Sequence, residues 1–417
     1  MRTETFDLVV IGGGPAGIAG ATEAAKQGIK KILLIEREPA LGGILKQCIH
    51  NGFGLHIFKE ELTGPEYAAR WIAELETLPI QIMLETTVID ISRDRSMIVV
   101  NESGIRQIKA DNILLAMGCR ERTRGAIMTP GYRPAGVFTA GNAQKLVNIN
   151  GYLPGKEVVI VGSGDIGLIM ARRMTLEGAK VKLVSEIMPY SSGLARNIAQ
   201  CVNDFDIPLR FKTTITKIHG KERVTGVTVA SVDEHMNPLK NTEEFIACDT
   251  VLFSVGLIPE NELSRKMEIE LDPVTGGPVV SEDLQTSVSH VFACGNVVQV
   301  HDLVDHVSQE AMRAANGIAH QEHSLLAEPI KIQHDKQIRY VVPQLLKSLD
   351  HDELTFAFRS VDTYRNVNLR VCSQHQVIFQ QKKNIVTPGE MITLTLNKKI
   401  ISLIHGDLSL EMELSHE

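Results

Sequence analysis

Two stretches of the chain repeat one order of apolar and polar positions. The first reads FDLVVIGGGPAGIAGATEAAKQG and then KKILLIE; the second reads KEVVIVGSGDIGLIMARRMTLEGAKVKLVSE. In each, a β-branched apolar run meets a glycine-rich turn, a helical pattern follows, and a second apolar run ends in an acid. Unbroken apolar runs of this length predict strands covered on both faces, and the strand–helix–strand order predicts a parallel βαβ unit. Matching strands close the two copies, ADNILLAMG (110–118) and CDTVLFSVG (248–256). The match extends from end to end, so a whole nucleotide-binding domain is repeated inside the chain. Between helix and closing strand lie the alternating runs IQIMLETTVIDI and LRFKTTITKI, which predict β-meanders on each parallel sheet. From about residue 330 the runs ELTFAFRSV, NVNLRVCS, QVIFQQKK and MITLTLNKK, with Pro388-Gly389 as a turn, predict a small antiparallel β domain.

The turns carry the chemistry. Gly12, Gly14 and Gly17 stand in G-x-G-x-x-G spacing, as do Gly162, Gly164 and Gly167. The first glycine of each set permits a tight turn, the second lets a pyrophosphate reach the backbone, and the third lets helix and strand pack closely. The helix N-terminus then faces the negative charge. Glu36 and Glu186 each follow the last glycine by 19 residues, where a carboxylate accepts hydrogen bonds from a ribose. A carboxylate also repels a 2′-phosphate, and no arginine lies between 187 and 195, so the second site is expected to favour a dinucleotide without that phosphate, NAD rather than NADP if the ligand is a nicotinamide nucleotide.

Composition narrows the partners. With 417 residues, 43% of them hydrophobic, and a formal net charge of -7, the chain has material for two or three cores. It lacks the basic runs that nucleic acid or an anionic membrane surface would attract. No apolar run reaches the length of a membrane span, and MRTETFDLVVIGGG enters a strand at once, leaving no room for a signal peptide. A cytoplasmic location is expected. The six cysteines, at 48, 119, 201, 248, 294 and 372, form no C-x-x-C pair, so neither a metal cluster nor a structural disulfide is expected.

LLAMGCRERTR, TSVSHVFACGN and DHVSQEAMRAANGIA resemble the strand ends and the flavin-facing helix of the two-dinucleotide-binding flavoproteins, the pyridine nucleotide-disulfide oxidoreductase superfamily that includes thioredoxin reductase. The resemblance covers about residues 5 to 325. It implies an α/β chain in which residues 1–118 and 257–329 form a Rossmann-like FAD domain, 119–256 an inserted Rossmann-like NAD domain, and 330–417 a C-terminal, mostly-β domain. It further implies that Gly12, Gly14, Pro15, Ala16, Gly17, Glu36, Arg37, Gly43, Ala116, Gly118, Gly295 and Asn296 hold FAD. Asn296 stands where the family usually has Asp. The first amides of a helix beginning near Gln309, Glu310 and Ala311 are expected to face the flavin. Gly162, Gly164, Asp165, Ile166, Gly167, Glu186 and Gly256 are expected to hold NAD(H).

Neither dithiol position of the family is filled: AGVFTAGNAQKLVN has no cysteine, and LGGILKQCIHNG has only Cys48. Disulfide reduction is therefore not expected. GCRERTRGAIMTPGYRPAGVFTAGNAQ, SEIMPYSSGL and GLIPENEL are similar to FAD/NAD-binding subunits found with glycerol-3-phosphate dehydrogenase-like partners, relatives of the reductase-like subunits of opine oxidase, sarcosine oxidase and hydrogen cyanide synthase. That likeness implies hydride transfer between nicotinamide and flavin. It also implies two partners, a second flavoprotein dehydrogenase subunit together with a small electron-transfer subunit; self-association is left open. Two alternatives stand beside it. One is an NADH oxidase or peroxidase with Cys48 as its catalytic thiol, and the other a non-catalytic FAD-binding assembly subunit. Ile44, Leu45, Cys48 and Ile49 at helical spacing favour a packed thiol, on a helix beside the flavin, over a reactive one.

Overall fold

The computed structural model describes residues 3–321 and 324–414. The chain divides into two compact units, one ending at Cys119 and resuming at Pro259, the other spanning Arg120–Ile258. The divisions fall one and two residues beyond the expected 118/119 and 256/257.

In the first unit the apolar runs become the centre of a seven-stranded sheet. Strands Ile80–Met83, Ile32–Ile35, Thr3–Ile11 and Gly104–Leu115 lie side by side in that order, all parallel, and Val291–Ala293 adds to Gly104–Leu115 on its far side. Leu8, Val9 and Val10 have no exposed surface, as a strand covered on both faces requires. Burying each such side chain is worth about 1.5–3 kcal/mol. Strands Ser96–Asn101 and Thr87–Ile91 extend the sheet antiparallel from the first half of Gly104–Leu115.

The Arg120–Ile258 unit has a five-stranded parallel sheet, in the order Val137–Thr139, Thr250–Phe253, Glu157–Val161, Lys180–Ser185, Leu209–Arg210. A three-stranded antiparallel sheet, Thr213–His219, Gly226–Ser231 and Glu244–Ile246, belongs to the same unit. One expectation is corrected identically in both units. IQIMLETTVIDI and LRFKTTITKI are each two strands, the first an edge of the parallel sheet and the second part of the meander. Glu85 at φ 49° and Lys212 at φ 48° stand at the breaks. A left-handed residue turns the chain abruptly, which a pattern of alternating apolar residues does not reveal.

The C-terminal segment groups with the first unit yet has a hydrophobic core of its own, centred on Phe356, Phe358, Leu369 and Leu394. It contains a five-stranded and a three-stranded sheet, and its first strand, Leu325–His334, begins before residue 330. That strand pairs parallel with Leu408–Leu414, so the segment is not purely antiparallel. No helix among the described residues is long and apolar enough to cross a membrane.

Candidate nucleotide-binding sites

In the first unit, strand Thr3–Ile11 delivers the chain to Gly12, whose φ of 108° only glycine adopts readily. A Cβ there would fall on the Ala116 carbonyl oxygen, and a Cβ at Gly17 on the Gly12 carbonyl oxygen. At Gly14 a Cβ would meet nothing within 4 Å among the described residues. Two glycines close the protein against itself and the middle one leaves space, which is the arrangement a pyrophosphate requires. Helix Pro15–Lys26 begins there with no side chain capping its N-terminus, and Pro15 occupies a position where a missing N–H costs nothing. Ala16 is buried, and a Cβ on Gly295 would lie 2.9 Å from its Cβ, so the Gly295 turn and the Gly12–Gly17 turn line one site. A Cβ on Gly43 would likewise come within 2.9 Å of Gly14 Cα.

Glu36 ends strand Ile32–Ile35 almost fully buried. Its Oε2 accepts the Gly13 amide at 2.6 Å, and its Oε1 accepts the Glu38 amide at 2.8 Å. Each carboxylate oxygen keeps acceptor capacity for a hydroxyl. Arg37 is exposed. Ala116 is buried and donates its amide to Ile11 O at 2.9 Å, and Gly118 opens onto space. These features fit an adenine dinucleotide: an uncapped helix N-terminus, an open middle glycine and a carboxylate fixed by backbone.

The second unit repeats the device with other neighbours. A Cβ on Gly162 would fall on the Ser254 carbonyl oxygen, and one on Gly167 would sit 2.8 Å from both Gly162 O and Ser254 Cβ. Glu186 Oε2 accepts the Ser163 amide at 2.9 Å and the Ser163 hydroxyl at 2.6 Å, while Oε1 accepts the Met188 amide at 2.9 Å. Asp165 starts helix Asp165–Leu176, but its Oδ1 is taken up by the Leu194 amide at 2.8 Å and Asn197 Nδ2 at 2.6 Å. It thus organises the 194–197 segment. Ile166 is half-buried against the core of this unit, and Gly256, at φ 98°, opens onto space.

The helix expected to face the flavin does not begin where the sequence suggested. It runs Val304–Ala319, so Gln309, Glu310 and Ala311 lie in its second turn and their amides cannot be the first ones. Those are Val304, Asp305 and His306. Gln309 is exposed, and Ala311 is fully buried near Gly20. Glu310 acts through its side chain. Its Oε1 accepts the Gly295 amide at 2.7 Å, and its Oε2 accepts Gln299 Nε2 at 3.1 Å and faces His301 Nε2 at 3.2 Å. Burial opposes its ionisation, yet His301, Arg313 and Gln299 bring its pKa below the ordinary value. Asn296 Oδ1 accepts the His301 amide at 3.0 Å and faces His301 Nδ1 at 3.3 Å.

Cys48 follows a single 3-10 turn, Gly43–Gln47, rather than lying on a helix, and Ile44 and Ile49 are 54% and 40% exposed. The apolar spacing there is therefore not a packed face. The thiol itself is sequestered: Sγ donates to Ile44 O at 3.3 Å, and burial pushes its pKa up to about 12.

Several contacts around these turns and helices escape a reading along the chain. Asp305 accepts the amides of Gly54 and Ile57, both at 3.1 Å, across some 250 residues. Ser254, whose hydroxyl accepts the Gly167 amide at 3.0 Å, is equally unmarked. Ser163, adjacent to Gly162, is the one a local signal offered, since a hydroxyl in the glycine turn can reach the ribose acid.

The family model described as pyridine nucleotide-disulphide oxidoreductase matches residues 6–319. The HcnB component of hydrogen cyanide synthase from Pseudomonas protegens is 26% identical over 64% of this chain and 60% of its own length. An opine oxidase subunit of Agrobacterium tumefaciens is 24% identical over 70% of this chain and 61% of its own. The chain thus spans about three fifths of each of these relatives. The thioredoxin reductase of T. acidophilum shares the fold, with a TM-score of 0.64 at 23% identity over 76% of this chain and 99% of that one. With two glycine turns, two backbone-held acids and a family match across both units, the chain belongs to the pyridine nucleotide-disulphide oxidoreductase family of FAD-dependent, NAD(P)H-linked enzymes.

Proposed function

We propose that this chain is an FAD-dependent NAD(H) oxidoreductase that works as the reductase-like subunit of a multi-subunit dehydrogenase. The observation that carries the reading is the paired sites, one per unit, each with its acid fixed by the amide of the residue after the first glycine. When bound, the two cofactors supply the hydride chemistry. The chain's own residues bind and orient. Gly14 and Gly164 admit the pyrophosphates, Glu36 and Glu186 accept ribose hydroxyls, and the amides of Val304, Asp305 and His306 offer a positive helix end to developing negative charge. Glu186 selects NAD(H), because a 2′-phosphate beside a carboxylate would be repelled. The absence of C-x-x-C removes the usual dithiol exit for electrons. The likeness to HcnB and to the opine oxidase component supports an exit to a second flavoprotein dehydrogenase subunit, with a small electron-transfer subunit.

Cys48 as a peroxidase thiol is the weaker reading. A sulfenic-acid cycle needs a lowered pKa, and burial moves this one the other way. Anaerobic addition of NADH to the purified chain, followed by flavin absorbance, tests the proposal. Bleaching by NADH in preference to NADPH is expected. Bound flavin that neither nucleotide reduces would turn the reading to a non-catalytic assembly subunit.

A further inference from the structure

The C-terminal segment lies beyond the residues the family model matches, yet it grips the loop that leads into the helix Val304–Ala319. Arg359, on strand Glu353–Ser360, donates from Nη2 to Val300 O at 3.1 Å and to Asp302 Oδ1 at 3.5 Å. From Nη1 it donates to Gly389 O at 2.6 Å and Pro388 O at 3.2 Å, in the turn that precedes strand Ile392–Asn397. The same turn supplies the Met391 amide to Asp302 Oδ2 at 3.1 Å. Arg359 and Asp302 are 13% and 8% exposed, so water competes little for this pair. Tyr340 lies beside Arg359, and burial raises its phenol pKa, so it stands there as a neutral hydrogen-bonding group.

Between Val300 and Asp302 stands His301, its side chain 2% exposed, whose ring reaches Asn296 on one side and Glu310 on the other. Glu310 in turn holds the Gly295 amide. A loop gripped at both neighbours of His301 has little freedom to move that ring. We propose that Arg359 is a positioning residue of the FAD site: from the C-terminal segment it fixes the Val300–Asp302 loop, and through His301 and Glu310 it fixes Asn296 and the Gly295 turn. The inference rests on the reading that residues 295–296 border FAD. Lysine cannot reproduce it, because an ammonium lacks the planar fork that reaches the loop and the turn together.

The test uses the full chain with Arg359→Gln, Arg359→Lys and Asp302→Ala. Amide exchange on flavin-stripped protein reads the grip directly. Exchange at His301 and Gly295 is expected to quicken about tenfold or more in Arg359→Gln and Asp302→Ala, and less in Arg359→Lys, since each loses charge-assisted hydrogen bonds. Amides of Leu394 and Leu396, in the sheet of the C-terminal segment, should stay within about twofold. The FAD dissociation constant should rise about tenfold with the NADH dissociation constant unchanged, and combining the two variants should add little, as coupled sites do. Unchanged exchange at His301 and Gly295 in both variants, or unchanged FAD affinity in both, would overturn the inference. Should Arg359→Gln quicken exchange at Leu394 and Leu396 as well, Asp302→Ala decides by the same readings, its side chain lying outside that sheet. Wild-type protein that takes up no FAD would overturn the functional reading and with it the FAD role of Arg359, whereas unchanged exchange on the stripped chain overturns the grip itself, so the two failures are told apart.

Discussion

At Gly14 an added Cβ meets nothing within 4 Å among the described residues, whereas at Gly164 it would meet Ser254 Oγ at 3.5 Å and Ser192 Oγ at 3.7 Å. The units share glycine spacing, acid spacing and the amide bond to the acid, but they differ in what lines the middle of the turn. The first is bare backbone. The second is lined by hydroxyls, and its helix opens on Asp165 where the first opens on Pro15. A ligand at the first turn therefore meets backbone alone within that radius, while one at the second also has hydroxyls in reach, of which Ser254 Oγ already accepts the Gly167 amide at 3.0 Å. The lesson is that one glycine and acid spacing builds the same turn in both units and leaves its lining to residues far away in the sequence.

The largest expected effect separates closure from ligand space. Gly17→Val drives a branched side chain onto the Gly12 carbonyl, so urea denaturation should show the first unit losing about 4 kcal/mol or more. Gly14→Val, with open space around it, should cost the fold little yet yield protein without FAD. A Gly14→Val protein as unstable as Gly17→Val would erase the distinction between the two glycines.

Next comes the assignment of the units. Gly164→Val should keep FAD and slow its reduction by NADH about a hundredfold or more, read by stopped-flow absorbance. Loss of FAD in that variant instead would reverse the two sites.

Smaller again is cofactor choice. NADH should exceed NADPH in kcat/KM, and Glu186→Ala should narrow the gap by about tenfold, as the acceptor and the repulsion vanish together. Better use of NADPH by the unaltered chain would contradict the role of Glu186.

Cys48 gives the smallest effect. Cys48→Ser should leave the rate of flavin reduction by NADH within about twofold and change peroxide turnover little. The unfolded thiol ionises near its ordinary value of 9.0, the folded one only near 12, so between these the native state holds the extra proton. Stability should therefore fall as pH rises above about 9, and part of that fall should disappear in Cys48→Ser. NADH-peroxidase activity that vanishes in Cys48→Ser, with sulfenic acid trapped at Cys48, would restore the peroxidase reading.

Much of the fold was legible because strand burial, turn geometry and the ribose acid are local or nearly so. The runs around Val10 and Ile160 had to be covered on both faces, Gly12 and Gly162 had to turn, and Glu36 and Glu186 arrive one βα step later. The start of the helix at Val304 was not legible. A residue there has helical neighbours whichever turn comes first, and the helix has no side-chain cap to mark its beginning. The exposure of Ile44 and Ile49 was also hidden, since their helical spacing with Leu45 and Cys48 suggested one packed face, which the 3-10 turn does not form.

By itself, then, the sequence determined two glycine turns, the parallel βαβ core of each unit and the absence of a C-x-x-C pair, all properties of residues within one βα unit or of simple composition. Only the tertiary structure decided how Asp305 meets Gly54 and Ile57, how Arg359 meets Asp302, and that Glu310 serves Gly295 through its carboxylate rather than the flavin through its amide. Charges and amides pair with whatever the packed core brings within about 3 Å, and that distance in space has no counterpart in distance along the chain.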